Sequence, residues 1–216
     1  MKLHIVYENR AGEGYRADWG FACLVQGQET VLFDTGTDPA ILEHNMTQAG
    51  LDPASIDKVV LSHDHDDHTG GLPYVSAHNT RAELFILPTF GRAVREQAGR
   101  MRIREVTEPC EVSPGMHSTG PVEGVAWEQA LALETDKGIV LVTGCSHPGV
   151  DRLIEKARPF GDLHAVLGGF HGSDRLEALE GIAFLAPCHC TQHTAEIIER
   201  YPDAYREIVA GTVLEF

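Results

Sequence analysis

The chain has 216 residues and a formal net charge of −15 at pH 7. This acidic balance argues against a nucleic-acid partner, because duplex binding needs a basic face that replaces counterions. The length fits a single domain over residues 1–216, with no Pro/Gly/Ser-rich linker. No stretch approaches the ~20 apolar residues of a membrane span, and the N-terminal residues are more typical of a first strand than of a signal peptide. We therefore expect a cytoplasmic protein that binds no membrane.

The first half of the chain is predicted to form four short strands and one helix. Apolar runs predict strands at residues 3–7, 21–25, 31–34 and 59–62. Asp38 before Pro39 is typical of a helix start, and Gly50 suits its end.

The second half of the chain is also predicted to contain short strands and helices. Strands are predicted at residues 84–87, 129–134, 139–142, 166–168 and 182–186, and helices at 150–157 and 194–200. Residues 115–121 are rich in turn formers and are predicted to be a loop that carries His117. We interpret His117 and His193 as ordinary surface histidines, with a place in a binding cleft as the alternative. The alternation of elements permits two packed sheets covered by helices.

The most informative segment is His63-Asp64-His65-Asp66-Asp67-His68, which follows a short apolar strand. Residues two apart project to the same side of an extended chain, so His63 and His65 can bind one cation together. Asp67 and His68 then point elsewhere and can hold a second cation roughly 3.5–4 Å away. A solvated acidic loop is the alternative, but such dense like charges repel unless a cation offsets them. The segment therefore predicts a metal-binding loop.

The pattern H-x-H-x-D-H after an apolar strand resembles the signature of the metallo-β-lactamase superfamily. The resemblance extends to four further segments, namely Asp34-Thr35-Gly36, Gly144-Cys145-Ser146-His147-Pro148-Gly149, Gly168-Gly169-Phe170-His171 and Pro187-Cys188-His189-Cys190-Thr191. These are similar to the branch of metal-dependent hydrolases related to dihydropterin ribofuranosyl-aminobenzene phosphate synthase. The resemblance covers roughly residues 19–191. It implies a four-layer αββα sandwich of the α/β class, with the metals in the cleft where the two sheets meet.

The resemblance also implies a dinuclear site. Its first metal would be held by His63, His65 and His147, and its second by Asp67, His68 and His189. The expected cofactors are two divalent metal ions, most simply Zn²⁺, with Fe, Mn or Ni as alternatives because histidine-rich sites accept all of them.

One departure from the family pattern concerns the fourth motif. Most members place there an aspartate that bridges the two metals, whereas this chain has His171. A histidine supplies one nitrogen to one metal and cannot bridge as a carboxylate does. We expect His171 to be a ligand. A weaker second site, a different metal, or recruitment of Asp174 are the open alternatives.

The expected chemistry is hydrolysis by metal-bound hydroxide, because a cation held by neutral imidazoles lowers the pKa of bound water to about 7. Asp67 is the predicted catalytic residue that orients this water while it ligates metal. Asp34 is expected to hold the tautomer of a ligating histidine from outside the loop, with a structural turn role as the alternative. Asp64 and Asp66 are expected to be outer partners or solvated charge.

The five cysteines, at positions 23, 110, 145, 188 and 190, include no C-x-x-C pair. Cys145, Cys188 and Cys190 flank two of the candidate ligand histidines. We interpret them as small apolar residues that fill space near the metal loops. Metal ligation, and a redox or metal-sensing role, remain alternatives.

The substrate is less determined. Five arginines between Arg92 and Arg104 could bind phosphate, although we favour a solvated surface. The chain looks shorter than most family members between Leu72 and Thr119, which suits a small substrate. We expect a metal-dependent hydrolase that acts on a small ester-like or phosphate-bearing molecule. A transferase similar to the synthase is the alternative, and a non-enzymatic metal-binding or redox protein is a lower one. The sequence leaves the oligomeric state open.

Overall fold

The computed structural model describes residues 1–216 and contains two β-sheets. The first sheet has seven strands in the order β13-β1-β2-β3-β4-β5-β6. Their bounds are β1 Lys2–Tyr7, β2 Ala22–Gln26, β3 Thr30–Phe33, β4 Lys58–Val60, β5 Glu83–Ile86, β6 Arg102–Glu105 and β13 Val213–Glu215. Pairing is antiparallel from β13 to β3 and parallel from β3 to β6. The parallel strands β3, β4 and β5 therefore end at one edge of this sheet.

The second sheet has six strands in the order β12-β11-β10-β9-β8-β7. Their bounds are β7 Cys110–Ser113, β8 Met116–Ser118, β9 Leu131–Thr135, β10 Gly138–Thr143, β11 Leu163–Gly169 and β12 Phe184–Cys188. The strands β10, β11 and β12 run parallel, while β7 to β10 are antiparallel. The ends of β10, β11 and β12 thus also share one edge.

Six α-helices connect these strands, namely α1 Pro39–Gln48, α2 Asp66–Thr69, α3 Leu72–His78, α4 Arg92–Gln97, α5 Val150–Ala157 and α6 Thr194–Arg200. The start of α1 follows from its sequence. Asp38 accepts a hydrogen bond from the Ala40 amide at 2.7 Å, and Pro39 occupies the first turn, where no amide donor is needed. Gly50, just past the helix, takes a φ of +67°, which glycine adopts without strain.

The burial pattern of β10 shows how the layers stack. Val140 and Val142 join the large apolar core shared with strands of the first sheet. Ile139 and Leu141, on the other face, pack in a second cluster with Leu153 and other residues of α5. Side chains alternate across a strand, so β10 is buried between the other sheet and a helix. This confirms the predicted α/β sandwich of two sheets with helices outside.

Most predicted elements are present, with end shifts of one to three residues, and α5 and α6 have the predicted bounds. One prediction was wrong: residues 115–121 contain the strand β8, so His117 lies in a strand and not in a loop. Gly115, with φ of +72°, makes the tight turn between β7 and β8. The strand predicted at residues 182–186 begins at Phe184, because the Ile182 amide donates to Leu179 in a preceding turn.

No helix of the structure combines the length and the apolar character needed to cross a bilayer.

Candidate metal centre

The candidate ligands follow strand ends, where the backbone is unusual. Only four residues other than glycine have a positive φ, and these are Asp34 (58°), Ser146 (60°), His171 (43°) and His189 (52°). They follow β3, β10, β11 and β12 respectively. Such conformations cost free energy and concentrate at functional sites. The strain therefore marks one edge where the two sheets meet.

The structure brings together the three histidines expected at the first metal. The ring centroids are 4.6 Å apart for His63 and His65, 4.7 Å for His63 and His147, and 4.8 Å for His65 and His147. His63 is fully buried, whereas His65 is exposed. A buried imidazole and an exposed one thus face a shared space, as an accessible metal site requires.

The residues expected at the second metal also converge. Asp67 Oδ2 lies 3.2 Å from His189 Nε2 and 3.7 Å from His68 Nε2. The rings of His68 and His63 are 4.3 Å apart, so the two groups adjoin. The expected sites are therefore neighbours within one cluster.

Three ring nitrogens in this cluster are buried without a hydrogen-bond partner: Nε2 of His63, of His147 and of His189. Burying a polar atom without a partner costs about 1–3 kcal/mol on the scale of protein mutations, so native proteins rarely do it. A coordinated cation would occupy these lone pairs. The donor set of imidazoles and one carboxylate fits zinc and similar divalent metals.

In three of the candidate ligands, His63, His68 and His189, the Nδ1 atom of the ring is held in place. His68 Nδ1 lies 2.7 Å from Asp34 Oδ2, and His189 Nδ1 lies 3.0 Å from Asn9 Oδ1. His63 Nδ1 lies 2.8 Å from Ser62 Oγ, whose single proton goes to Asp34 Oδ2 at 2.8 Å. His63 Nδ1 must therefore carry the proton of that ring, which leaves Nε2 as a lone pair aimed at the cluster.

Asp34 thus occupies the position that an outer partner of the ligands requires. The carboxylate is fully buried, and its Oδ1 accepts the Ser62 amide at 2.7 Å. Gly144 allows this close packing, since a Cβ there would lie 2.1 Å from Ser62 Oγ. One carboxylate therefore orients both His63, through Ser62, and His68.

The electrostatics favour neutral imidazoles. Burial, together with the neighbouring rings of His68 and His147, holds the pKa of His63 well below its ordinary value. Burial and the neighbouring His65 lower the pKa of His147 to about 4. Burial also lowers the pKa of His189, although Asp67 opposes the change. These rings are therefore available as metal ligands at neutral pH, because only the unprotonated ring can ligate.

The pKa values of two neighbouring groups, His68 and Asp67, shift in the direction that favours the charged form. For His68 burial lowers the pKa, but the charge and hydrogen bond of Asp34, together with the charges of Asp67 and Glu128, outweigh burial and the net shift is upward. For Asp67 burial raises the pKa, but contact with His189 and His68 outweighs it, so the carboxyl remains ionised. The cluster thus has one ready anionic ligand at its second site.

Sequence reasoning missed Trp19. The indole Nε1 donates to Asp67 Oδ2 at 3.0 Å, and its ring lies 4.8 Å from the ring of His189. The side chain is 55% exposed, so it covers the second site from the solvent side. A large exposed aromatic just before β2 was the available signal.

Glu128 was also missed. Its buried carboxylate accepts the backbone amides of Cys145, Ser146 and His147 at 3.0, 2.9 and 2.8 Å. Burial raises its pKa, and these amide hydrogen bonds oppose the rise. An acid within an apolar stretch before β9 was the signal. Glu128 fixes the loop that carries His147.

Cys145 lies inside the cluster. Its Sγ is 3.1 Å from His68 Nε2, and the side chain is buried. The neighbouring Cys190 thiol and burial raise the pKa of Cys145. The potential ligand atoms form three groups within 4.8 Å, which are Asp67, His68, Cys145 and His189; His63, Cys145 and His147; and His63, His65 and Asp67. Cys145, His63 and Asp67 each belong to two of these groups.

His171 belongs to none of the three groups, although its ring lies 4.8 Å from that of His147. Both side chains line a surface cavity of about 610 Å³ beside the cluster. Asp174 lines the same cavity, together with Arg152 and Arg175. The structure thus places His171 and Asp174 at the entrance rather than among the converging ligand atoms.

The remaining candidates lie elsewhere. His117 contacts Glu134 at 2.8 Å and stacks on Phe160, and His193 Nδ1 lies 3.7 Å from Glu196. Of the arginines between 92 and 104, two lie on α4, Arg100 lies in the following turn, and two lie on the edge strand β6; none lines the cavity. Arg92 pairs with Glu96, Arg95 with Glu105 and Arg102 with Glu83, and Arg104 lies over the ring of the buried Phe85.

A fold of two sheets between helices, with a histidine-rich cluster of potential metal ligands at the strand ends, defines the class of metallo-β-lactamase folds. The model of the metallo-beta-lactamase superfamily matches residues 20–130. The chain therefore belongs to the metallo-β-lactamase superfamily, as its motifs predicted.

Among solved structures, a metal-dependent hydrolase of the beta-lactamase superfamily is 26% identical with a TM-score of 0.81, over 100% of this chain and 99% of the other. The metallo-beta-lactamase fold protein YhfI from Bacillus subtilis is 15% identical with a TM-score of 0.73, over 100% and 98%. The second likeness shows the fold alone.

A curated relative from Methanocaldococcus jannaschii is named 7,8-dihydropterin-6-methyl-4-(beta-D-ribofuranosyl)-aminobenzene-5'-phosphate synthase. It is 26% identical over an alignment of 284 positions, which spans 100% of this chain and 97% of the relative. Because the alignment is longer than the chain, the relative carries segments that this chain lacks.

Proposed function

We propose that this chain is a metal-dependent hydrolase of a small ester-like or phosphate-bearing molecule. The observation that carries the proposal is the convergence of three buried, unpartnered imidazole nitrogens beside a polar surface cavity. The superfamily supports the reaction class.

The proposed site is dinuclear. His63, His65 and His147 would hold the first divalent ion, and Asp67, His68 and His189 the second, with Zn²⁺ as the favoured metal. His171 is the further candidate ligand. When bound, a divalent ion held by neutral imidazoles lowers the pKa of a coordinated water from about 16 to about 7 and polarises the bond under attack.

The protein's own groups orient the reaction. Asp67 is ionised, and its Oδ2 accepts the Trp19 indole N–H, which fixes the rotamer of the carboxylate. Its other oxygen, Oδ1, remains free to accept a proton from a nucleophilic water. Asp34 and Ser62 hold the imidazoles of His63 and His68, so that little reorganisation is needed during the reaction.

The cavity suits a polar substrate. Its volume of about 610 Å³ lies within the ~300–1,000 Å³ of small-molecule sites. Val125 is its one apolar lining residue. Arg175 is 3.9 Å from Asp151, too far for a tight pair, and its guanidinium is largely exposed. Arg175 is therefore free to bind an anionic group, such as a phosphate, while the reacting bond lies beside His147.

A second candidate function is transfer, as in the synthase from Methanocaldococcus jannaschii. The specific observation in its favour is identity spread over the whole chain. The segments that this chain lacks favour hydrolysis, since an acceptor must bind beside the first substrate and exclude water.

The first experiment is elemental analysis of protein purified without a metal-affinity tag, for the parent, His65→Ala and His171→Ala. His78→Ala, at an exposed position on α3, is the matched control. We expect about two metals per chain in the parent and the control, fewer in His65→Ala, and one fewer in His171→Ala if that ring ligates. One metal in both the parent and His171→Ala would leave a single-metal site without His171.

Turnover separates the two functions. The metal-loaded parent is assayed on panels of carboxyl esters, thioesters, lactones, phosphomonoesters and phosphodiesters. It is also assayed on an activated pterin with and without an acceptor arene. Hydrolysis that is lost in His65→Ala supports the proposal. A product that forms only with the arene would replace hydrolysis by transfer, and a folded, metal-loaded protein inactive on every panel would contradict an enzymatic role.

A further inference from the structure

The Cys145 thiol lies between the two proposed metal sites. Its Sγ shares one group with His63 and His147 and another with Asp67, His68 and His189. Within each group the potential ligand atoms lie within 4.8 Å of one another. His63 and Asp67 are also common to two groups. His63 has a single free nitrogen and can bind one metal, whereas the two oxygens of the Asp67 carboxylate make it the competing bridge. A thiolate has several lone pairs on one atom and can bind two.

The position of this sulfur is fixed by the backbone. The Cys145 amide donates to Glu128 at 3.0 Å, and the residue before it, Gly144, packs against Ser62. Cys145 is also only two residues from His147 along the same short loop. The sulfur therefore cannot leave the cluster without moving a proposed ligand.

A separate observation shows that the cluster accommodates a ligand near this sulfur. His63 is fully buried, and its Nε2 has no hydrogen-bond partner. His147 Nε2 is likewise unpartnered, and both atoms share a group with Cys145 Sγ. Two unpartnered nitrogens and the sulfur therefore lie close enough together to bind one cation.

The charges of the cluster point the same way. The proposed ligands of the two sites are five imidazoles and a single carboxylate, Asp67. The fourth family motif supplies His171 in place of a bridging carboxylate. Two divalent ions a few ångströms apart repel strongly unless an anion lies between them. Asp67 and Cys145 are the two side chains common to groups of both proposed sites that can supply such an anion. Asp67 Oδ2 already accepts the Trp19 indole N–H and lies 3.2 Å from His189 Nε2, so Asp67 suits the second site and Cys145 is the candidate bridge.

We propose that Cys145 is a metal ligand whose thiolate bridges the two cations. The inference rests on the proposed dinuclear site. On metal binding the S–H bond breaks, the proton leaves to solvent, and sulfur lone pairs bind the metals, with no change of oxidation state. A thiolate bridge selects zinc, iron or cobalt over magnesium, calcium and manganese, which prefer oxygen ligands.

The test is X-ray absorption at the zinc edge on protein loaded with zinc to its full capacity. In the parent we expect about one sulfur per zinc atom at about 2.3 Å. Cys145→Ser should lose this sulfur shell. Cys190→Ser is the matched control, because its thiol packs against the Cys145 backbone, with Sγ 3.7 Å from the carbonyl oxygen. It should retain the shell.

Cys145→Asp is the second variant, in case the serine variant does not fold. A carboxylate at this position can also bridge, so we expect two zinc ions per chain with oxygen in place of sulfur. The zinc content of the parent separates failure of the proposed function from failure of the thiolate bridge. A parent that binds no zinc would overturn the proposed function and this inference together.

Other outcomes would overturn the inference alone. The first is a parent that binds two zinc ions without sulfur. The second is about half a sulfur per zinc in the parent, which indicates a terminal ligand on one metal. The third is a sulfur shell that survives in Cys145→Ser.

Discussion

Asp34 Oδ2 and His68 Nδ1 lie 2.7 Å apart, and both side chains are fully buried. The same oxygen accepts the Ser62 hydroxyl, which in turn holds His63. One carboxylate therefore sets the tautomers of two proposed ligands that belong to different metals. Such outer partners control metal affinity nearly as strongly as the ligands do.

We predict that Asp34→Asn weakens metal binding about 10–100-fold, with the fold retained. Asparagine tolerates the positive φ of this position and can still accept the Ser62 amide. It cannot supply the negative charge that His68 faces. Zinc competition with a chelator measures the change. Asp66→Asn, at an exposed position in the run from His63 to His68, is the control and should keep the metal affinity of the parent. Equal affinities for all three proteins would refute the role of Asp34.

Tryptophan fluorescence should report metal binding at the second site. The chain has two tryptophans, and Trp19 donates its indole N–H to Asp67 whereas Trp127 lines a separate apolar cavity. A cation on Asp67 withdraws charge from the carboxylate that the indole contacts, so the emission of Trp19 should change on zinc addition. We expect Trp19→Phe to lose most of this change and Trp127→Phe to keep it. The reverse pattern would argue against metal at Asp67.

Replacement of Glu128 by Gln should destabilise the loop of His147. The carboxylate accepts three backbone amides, and a glutamine offers one oxygen and a repelling NH₂ group. We expect a loss of roughly 3 kcal/mol in the free energy of unfolding, measured by urea denaturation after chelation. The control is Glu123→Gln, since Glu123 is an exposed acid that also precedes β9. It should change the free energy of unfolding by less than about 0.5 kcal/mol. A Glu128→Gln variant as stable as this control would show that the amides find other partners.

Low pH should destabilise the metal-free protein through protonation of His147. Its pKa falls from 6.5 to about 4 on folding, so between these values the unfolded chain binds more protons than the folded one. Stability therefore rises with pH in this window and is lost as the pH falls from 6.5 towards 4. Urea midpoints at about pH 7 and about pH 5 measure the difference. Because glutamine does not titrate, His147→Gln should reduce the difference between the two urea midpoints. An unchanged difference would assign the pH dependence to other groups.

The local pattern was sufficient for much of the fold and for most of the candidate ligands. The bounds of α5 and α6 follow from helical periodicity, and the start of α1 follows from Asp38 and Pro39, because these signals act within a few residues. The run from His63 to His68 carries its chemistry in its spacing. The short strand β8 was missed because three residues between turn formers have no period of their own, and pairing with β9 decides their conformation.

Long-range contacts decided the rest of the centre. The sequence does not say that the Trp19 indole meets Asp67, that the Glu128 carboxylate holds the loop of His147, or that the Cys145 thiol lies against His68. The pairs that these residues form are separated by 17 to 77 residues. The sequence by itself indicated the sandwich through its resemblance to a family and the candidate histidine ligands through their spacing, because closely spaced motifs are local. Only the tertiary structure decided which groups orient and cover these candidate ligands, because the packing of two sheets brings distant strand ends to one edge.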